Sequence, residues 1–249
     1  EIARQENRSE GIIYKLLSRA DYEPRAVCLP ISEFWFTESP EKYYILGYLF
    51  ADGNIEQGYK AVTLSAHIKD REIICTIFSL CGGRLYEYEK KINIAVGGKM
   101  LAEYLGNYGL TPRKSNTMQF PKNIPDIYIR DFIRGEFDGD GNISIRPDKK
   151  GGSKASFGFS SGSKEFLCDL RGFLAENGID RGILREQKTE WGHVNQLSYG
   201  GIFRSLKMKN YLYYPGCLCL ERKRDKFFSI KEPISIISKK GRTYYRHNS

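Results

Sequence analysis

The sequence lacks any apolar run of the length that a membrane-spanning helix needs, and it lacks a secretory signal pattern. Its six cysteines include no pair at the two-residue spacing of a zinc knuckle, and Cys217 and Cys219 are closer than that. These absences exclude a helical membrane protein and a disulfide framework. We expect free thiols in a reducing, intracellular compartment: the cytoplasm, the nucleoid or an organelle. The chain starts at Glu1 without a methionine, and we expect it to be a fragment.

Acidic residues are also in short supply. The 30 Asp and Glu are outnumbered by 39 Lys and Arg, which leaves a formal net charge of +9. On a folded, aromatic-rich chain this excess favours a polyanionic partner, most simply nucleic acid. Charge alone leaves open a basic protein without such a partner. The 249 residues, 41% of them hydrophobic, suffice for one large domain or two small ones with proper cores.

Two short stretches carry the same pattern: ILGYLFADG at residues 45–53 and IRGEFDGDG at residues 133–141. On a helix, Gly47 and Ala51 share one face, as do Gly135 and Gly139. Small side chains on one face allow a second helix backbone to come close. A glycine inside a helix costs about 1 kcal/mol relative to alanine, so these glycines need a packing reason. The repeat therefore predicts two helices in close contact.

Each stretch ends in Asp-Gly. Gly53 and Gly141 suit the left-handed residue that ends many helices. Asp52 and Asp140 would then stand at the last helical turn, where the helix dipole disfavours a carboxylate unless a cation is present. Two close-packed helices would bring both carboxylates together as oxygen ligands for a divalent metal, the kind of site that serves phosphoryl chemistry. For either copy alone, an ordinary turn or helix cap stays open as the explanation.

The order of predicted elements also repeats. A helix that starts at Ser39-Pro40 precedes strands 54–57 and 61–67, a helix from Asp70 to Cys81, strands 84–89 and 91–96, and a helix over 99–107. The second round has helix 126–139, strands 142–147 and 154–160, a helix from Ser163 to Glu176, strands 182–188 and 193–199, and a helix to about residue 209. A helix over 217–229 and a basic tail follow. This predicts an α+β fold of duplicated αββαββα units, each with a four-stranded antiparallel sheet covered on one face by helices.

The paired motifs resemble the LAGLIDADG homing endonucleases, in the single-chain form that carries both. The stretch 109–115 (GLTPRKS) and the Phe120-Pro121 and Ile124-Pro125 pairs are similar to that family's linker. The resemblance covers roughly residues 35–230 and implies a pseudo-twofold DNA-binding saddle with the motif helices at its centre. It divides the chain into subdomain 35–110, linker 111–124, subdomain 125–230 and a basic tail, 231–249.

The resemblance implies a site-specific, metal-dependent endonuclease that acts as a monomer and makes a staggered double-strand break in a long asymmetric DNA target. Asp52 and Asp140 would bind Mg²⁺ or another divalent cation, with the carbonyl groups of Ala51 and Gly139 as further ligands. Lys99 is the first candidate to assist catalysis. His67 and Lys69 are weaker candidates, because such residues are more often plain surface.

If helices cover one face of each sheet, the other face is available for DNA. Polar and basic residues recur along the predicted strands, and such side chains can read base edges or hold phosphates. The alternative for each is an ordinary solvated sheet face. The resemblance implies that together they form the saddle: Lys60, Arg84, Tyr86, Tyr88, Lys90, Asn93, Arg146, Lys154, Arg185, Gln187, Lys188, His193, Asn195 and Gln196.

Residues 1–34 form a separate segment. Its first part, residues 1–19, is similar to the second half of a helix-turn-helix, with Ser9 as a candidate N-cap and Ser9, Glu10, Gly11 and Tyr14 facing a major groove. An ordinary pair of helices explains this pattern equally well. Residues 20–38 look like a linker, with Pro24 and Pro30.

Two other functions stay open at this point. The same fold could serve an RNA maturase that binds intron RNA, or a DNA-binding regulator, without cleavage. It could also be the endonuclease part of an intein, because the chain ends in His247-Asn248-Ser249, although Glu1 is not the nucleophile that splicing requires.

Overall fold

The computed structural model describes residues 31–147, 153–189, 192–231, 234–237 and 243–246. The helix-turn-helix-like pattern over residues 1–19 lies outside these ranges. None of the helices within them combines the length and the apolar character that crossing a bilayer requires.

The first half starts with helix α1, Pro40–Asp52, whose N-terminus is capped by Ser39: the Ser39 Oγ atom accepts a hydrogen bond from the Lys42 N–H at 3.2 Å. The elements that follow are β1 (Gly53–Ile55), β2 (Ala61–His67), α2 (Arg71–Cys81), β3 (Arg84–Glu87), β4 (Lys91–Gly98) and α3 (Lys99–Gly106). The four strands form an antiparallel sheet in the order β1-β2-β4-β3.

The second half repeats this order. Helix α4 is Asp126–Asp140, and it is followed by β5 (Asn142–Pro147), β6 (Ser153–Ser161), α5 (Lys164–Glu176), β7 (Ile183–Thr189), β8 (Gly192–Gly200) and α6 (Ile202–Leu212). The strands again pair antiparallel, in the equivalent order β5-β6-β8-β7. The predicted α+β class and the duplicated αββαββα unit are therefore confirmed.

The C-terminal part differs from the prediction. Helix α7 is Glu221–Phe228 rather than 217–229, because residues 213–220 are not helical and are instead hydrogen-bonded to α4, as described below. Within the predicted basic tail, β9 (Ile234–Ile237) and β10 (Thr243–Arg246) pair as an antiparallel hairpin. No strand was predicted there.

Helices α1 and α4 cross at the centre of the molecule in backbone contact. A Cβ atom added to Gly47 would overlap the Phe132 carbonyl oxygen and lie 2.9 Å from the Glu136 nitrogen. A Cβ atom on Gly135 would overlap the Tyr44 carbonyl oxygen and lie 2.8 Å from the Tyr48 nitrogen. The predicted close contact between the motif helices is confirmed, and it is nearly symmetric.

The predicted left-handed conformation of the two terminal glycines is wrong. Gly53 has φ −79° and Gly141 has φ −75°, both with extended backbone. Glycine is required there for space instead. A side chain on Gly53 would overlap the last turn of α1 at Leu49, and one on Gly141 would overlap Phe137.

Each sheet has one covered face and one open face. In the first sheet, Val62, Leu64, Ile92 and Ile94 are buried under the helices, and in the second, Phe157, Phe159, Leu197 and Tyr199 occupy the same side. Since side chains alternate along a strand, the intervening residues point to the open faces.

We expect Gly47→Ala and Gly135→Ala each to lower the free energy of unfolding by about 2 kcal/mol or more, because the added methyl group meets rigid backbone. Chemical denaturation measures this. Gly172→Ala is the matched control: Gly172 lies exposed in α5 with no atom within 4 Å of an added Cβ, so this change should stabilise the protein by about 0.5–1 kcal/mol. Equal effects at all three positions would contradict the packing argument.

Candidate metal and nucleic-acid site

The two motif aspartates lie side by side where α1 and α4 end. A Cβ atom added to Gly139 would be 3.3 Å from Asp52 Oδ2 and would overlap the Ala51 side chain. Both carboxylates are open to solvent on one side. The duplicated fold thus places one acid from each half at a shared centre, facing out between the two open sheet faces.

The electrostatics of this centre disfavour two negative charges. Partial burial, followed by the charge of Asp140, raises the pKa of Asp52 to about 6. Burial also raises the pKa of Asp140, while the ammonium groups of Lys114 and Lys223 act in the opposite direction. A divalent cation would relieve both the repulsion and the desolvation.

The donors at this centre fit a hard cation that prefers oxygen ligands. Within the described ranges, no group of three or more His, Cys, Asp or Glu side chains is arranged to hold a metal. A cation here would therefore rely on Asp52 and Asp140, with its remaining ligands from carbonyl groups, water or substrate oxygens. That open coordination suits Mg²⁺, which usually keeps several waters.

Two buried lysines close the ends of the motif helices, and neither was singled out from the sequence. The Lys114 ammonium donates to the carbonyl oxygens of Phe50 at 2.5 Å and Ala51 at 3.1 Å. Helix-terminal carbonyls have no intrahelical partner and carry the negative end of the dipole, so an ammonium there is favourable.

The second lysine does the same for α4. Lys223 donates to four carbonyl oxygens: those of Phe137 at 2.8 Å, Asp138 at 2.7 Å, Gly139 at 3.0 Å and Gly141 at 2.6 Å. Burial lowers the pKa of Lys223 to about 8 and also lowers that of Lys114. The carbonyls of Ala51 and Gly139, which the sequence suggested as metal ligands, are thus each engaged by an ammonium group.

The non-helical segment before α7 delivers Lys223 to this position. Arg134 of α4 donates from Nε to the Leu218 carbonyl at 2.7 Å and from Nη1 to the Leu212 carbonyl at 3.0 Å. Arg134 is itself paired with Asp131 at 2.7 Å, and both of these side chains are buried. The segment 212–220 is therefore fixed to the central helix at two points.

A second buried acid, Asp138, holds the same segment. Its Oδ2 atom accepts from the Leu220 N–H at 2.6 Å and from the Tyr44 hydroxyl at 2.9 Å. Burial raises the pKa of Asp138 to about 6. Glu136, two residues earlier on α4, is fully buried and has no hydrogen-bond partner for either carboxylate oxygen among the described residues. Burial raises its pKa well above the usual value.

The three candidate catalytic residues lie at different places. His67 ends β2 on the open face and lines a small cavity together with Asp52 and Asp70. Lys99 starts α3, where it is exposed and 3.7 Å from Glu103. Lys69 lines a separate cavity with Asp70 and Arg222.

One ion pair joins the two halves beside Asp52. Arg222 of α7 binds Asp70 in a bidentate manner, at 2.7 and 2.8 Å. Asp70 precedes α2, as predicted for a capping residue, but its carboxylate makes no cap hydrogen bond and is turned to Arg222 instead.

The strand register decides which side each predicted DNA-binding residue faces. On the open faces are Arg84, Tyr86, Asn93, Arg146, Lys154, Arg185, Gln187 and Gln196. Tyr88 and Lys90 lie in the β3–β4 turn, and Lys60 lies just before β2. Lys188, His193 and Asn195 share the helix-covered side with Leu197, and Asn195 is buried and donates to the Gly162 carbonyl at 3.0 Å.

The open faces are free of acidic residues. None of the described strand positions that share these faces is Asp or Glu, whereas five are cationic: Arg84, Lys91, Arg146, Lys154 and Arg185. The three arginines make no hydrogen bond or ion pair with any residue in the described ranges. Glu87 and Glu186, on the same strands, belong to the opposite side, where they pair with Arg71 and His193.

Comparison with known proteins shows similarity to one family model and to solved structures of one fold. Residues 128–207 match the model of the LAGLIDADG-like domain. The LAGLIDADG meganuclease I-AabMI bound to uncleaved DNA is similar in structure, with a TM-score of 0.55 and 13% identity over 77% of this chain and 90% of that one. A lysine-to-alanine variant of I-SmaMI has a TM-score of 0.53 and 11% identity over 76% of this chain and 88% of that one. No curated protein matches the chain.

The resemblance inferred from the paired motifs is thus confirmed. The second half of the chain matches the LAGLIDADG-like domain model, and the two halves together have the fold of the LAGLIDADG meganucleases.

We expect the double variant Asp52→Asn/Asp140→Asn to melt at a higher temperature than the parent protein at pH 8 without divalent cations, because it removes the repulsion at the centre. The folded protein binds protons that the unfolded chain has released between about pH 4 and pH 6, since the pKa of Asp52 is raised. Parental stability should therefore fall relative to the variant as pH rises through this window. Mg²⁺ should raise the melting temperature of the parent only.

Asp169→Asn, an exposed change on α5, is the matched control and should follow the parent in both measurements. A double variant that still responds to Mg²⁺ would contradict a cation site at Asp52 and Asp140.

We expect Lys223→Met to lower the free energy of unfolding by about 3 kcal/mol, because it leaves several buried carbonyl groups without a donor. Lys226→Met, on the exposed side of the same helix, should change it by less than about 0.5 kcal/mol. Urea denaturation measures both values. A loss of stability for Lys223→Met as small as that for Lys226→Met would contradict a capping role of Lys223 at the end of α4.

Proposed function

We propose that this chain, with the fold of the LAGLIDADG meganucleases, is a site-specific endonuclease that makes a metal-dependent, staggered double-strand break in a long asymmetric DNA target. The observation that carries the proposal is the pair Asp52 and Asp140 at the junction of two acid-free, cationic sheet faces. A nuclease needs an anionic centre for the metal and a cationic surface for the phosphates, and here the two are adjacent.

Binding to double-stranded DNA follows from the open faces. A protein that neutralises phosphates needs cations that are not already paired within the protein. Arg84, Arg146 and Arg185 meet this condition in the described part of the chain. The same faces also carry amide and hydroxyl side chains, which read base edges in the major groove.

The proposed chemistry uses both halves. A bound Mg²⁺ would polarise a phosphoryl oxygen and lower the pKa of a coordinated water. Asp52 and Asp140 would provide the metal ligands, and each acid would serve the cleavage of one DNA strand. Lys114 and Lys223 lie at the same helix ends, so their ammonium groups would stabilise negative charge that develops on the substrate. Of the three candidates chosen from the sequence, His67 shares a cavity with Asp52 and is best placed to position a water.

The proposed units follow the duplication: 35–110 and 125–230 as two subdomains, 111–124 as the linker, and 231–249 as a basic tail. Because one chain supplies both halves, a monomer would suffice, and the two half-sites need not be the same. The helix-turn-helix-like segment predicted over residues 1–19 would serve as a second DNA-reading element.

We expect Asp52→Asn and Asp140→Asn each to reduce double-strand cleavage by at least 100-fold while DNA binding in EDTA stays within about threefold. Cleavage of a randomised DNA library, with Mg²⁺ or with EDTA, identifies the target, and the variants are then tested on it. Asp169→Asn is the control for the loss of a surface carboxylate.

Full cleavage by both variants would refute the proposal. Specific DNA binding without Mg²⁺-dependent cutting by the parent would favour the regulator, and tight binding of intron RNA would favour the maturase.

A further inference from the structure

The cross-strand rows of the two sheets correspond one to one, which allows the halves to be compared position by position. The first row of the first sheet contains Asn54, Thr63, Ala95 and Arg84, and that of the second contains Asn142, Gly158, Ser198 and Ile183. Asn54 and Asn142 each follow the motif glycine directly. The rows are therefore equivalent by register.

The next row repeats the correspondence. It contains Ser65, Asn93 and Tyr86 in the first sheet, and Ser160, Gln196 and Arg185 in the second. Two of the three positions carry the same chemistry, a serine and a side-chain amide. The position on the outer strands, the edge strands β3 and β7, differs, because Tyr86 has no charge and the Arg185 guanidinium group has no partner among the described residues.

Strands β3 and β7 each carry one arginine on the open face, and these two arginines stand in different rows. The arginine is in the first row in one half (Arg84) and in the second row in the other (Arg185). In the first sheet, His67 and Lys91 form the row that lies beside Asp52. The second row is therefore one step closer to the catalytic centre than the first.

We infer that the two outer strands read guanines at unequal distances from the centre of the target: Arg185 reads one about two base pairs closer to the centre than the guanine read by Arg84. An exposed arginine on a strand in the major groove pairs with guanine O6 and N7 more readily than with any other base. Residues on one face of a strand are about 6.6 Å apart, which corresponds to about two base-pair steps of 3.4 Å where the strand follows the groove. This inference rests on the proposed function.

The residues at the equivalent positions in the opposite halves support the assignment of one guanine to each arginine. Ile183, which is 53% exposed, stands where Arg84 stands in the other half and offers only apolar contact, as to a thymine methyl group. Tyr86, which is 46% exposed, stands in the place of Arg185 and lacks the paired donors that guanine recognition uses. Each half therefore has one strongly selective outer-strand position, and the two positions are not mirror images.

The test exchanges neighbours within one strand. The variant Ile183→Arg/Arg185→Ile keeps composition and net charge and moves the guanidinium group from the second row to the first. Bound DNA is selected from a randomised library in EDTA, so that no cleavage occurs, for the parent and the variant. We expect the parent target to contain guanine at the two positions assigned to Arg84 and Arg185, at unequal distances from its centre. In the variant target, the guanine assigned to Arg185 should be displaced outward by about two base pairs.

Two further variants separate base reading from general attraction. Arg185→Ala should reduce discrimination for guanine at one position by roughly 5- to 150-fold and leave the rest of the selected site unchanged. Arg181→Ala removes an arginine that pairs with Asp180 outside the open face, and it should leave every position unchanged. Equal melting temperatures for parent and exchange variant show that both are folded.

The outcomes are distinct. A parent that enriches no DNA site overturns the proposed function and this inference with it. A parent site that appears, but whose guanine stays in place in the exchange variant, or survives in Arg185→Ala, overturns only the inference.

Discussion

The backbone contact between α1 and α4 is the constraint on which the rest of this structure depends. Gly47 and Gly135 allow each helix to reach the main chain of the other, and no other residue fits at either point. The contact aligns the two helix ends, so that Asp52 and Asp140 meet. It also orients the two sheets, because the first strand of each sheet starts within two residues of its motif aspartate, at Gly53 and at Asn142. The paired aspartates and the orientation of the open faces are thus consequences of one packing arrangement.

That arrangement creates an electrostatic problem that the chain solves with buried cations. Two helix C-termini and two carboxylates converge, and all four carry negative charge or partial charge. Lys114 and Lys223 compensate the carbonyl groups, while a metal would compensate the carboxylates. Buried groups of this kind stabilise only when fully paired. Arg134 and Asp138 keep the segment that leads to Lys223 in place, whereas the buried carboxylate of Glu136 has no hydrogen-bond partner among the described residues.

Much of the fold could be predicted from the sequence because it depends on local patterns of residues. The spacing of Gly47 and Ala51, repeated at Gly135 and Gly139, reports a helix contact directly. Strand alternation and capping residues such as Ser39 and Ser163 place the elements within a few positions. What failed depends on tertiary structure. Gly53 and Gly141 are glycines for lack of space rather than for backbone conformation, and a sequence does not distinguish these causes.

The site was predicted in part for the same reason. The motif aspartates follow from the repeat, but nothing local marks Lys114 and Lys223 among the 39 basic residues as the two that fold back on helix ends. Likewise, Lys188, His193 and Asn195 were predicted on the open face but lie on the covered side. The sequence alone does not show which residues of β7 and β8 point to which side. A shift of one residue reverses the side to which every residue points, and only the pairing with Leu197 settles it.

The position of Lys114 has a consequence for how such a protein can be recombined. The proposed linker, residues 111–124, separates the two subdomains, and a cut at residue 110 would divide the chain between them. Yet Lys114 belongs to the linker and closes α1, the helix of the preceding half. Lys223 likewise follows the sheet of its own half. The structural unit that must be transferred intact therefore extends past each sheet to the lysine that caps the motif helix of that half. A chimaera joined before residue 114 would give its first helix a foreign cap.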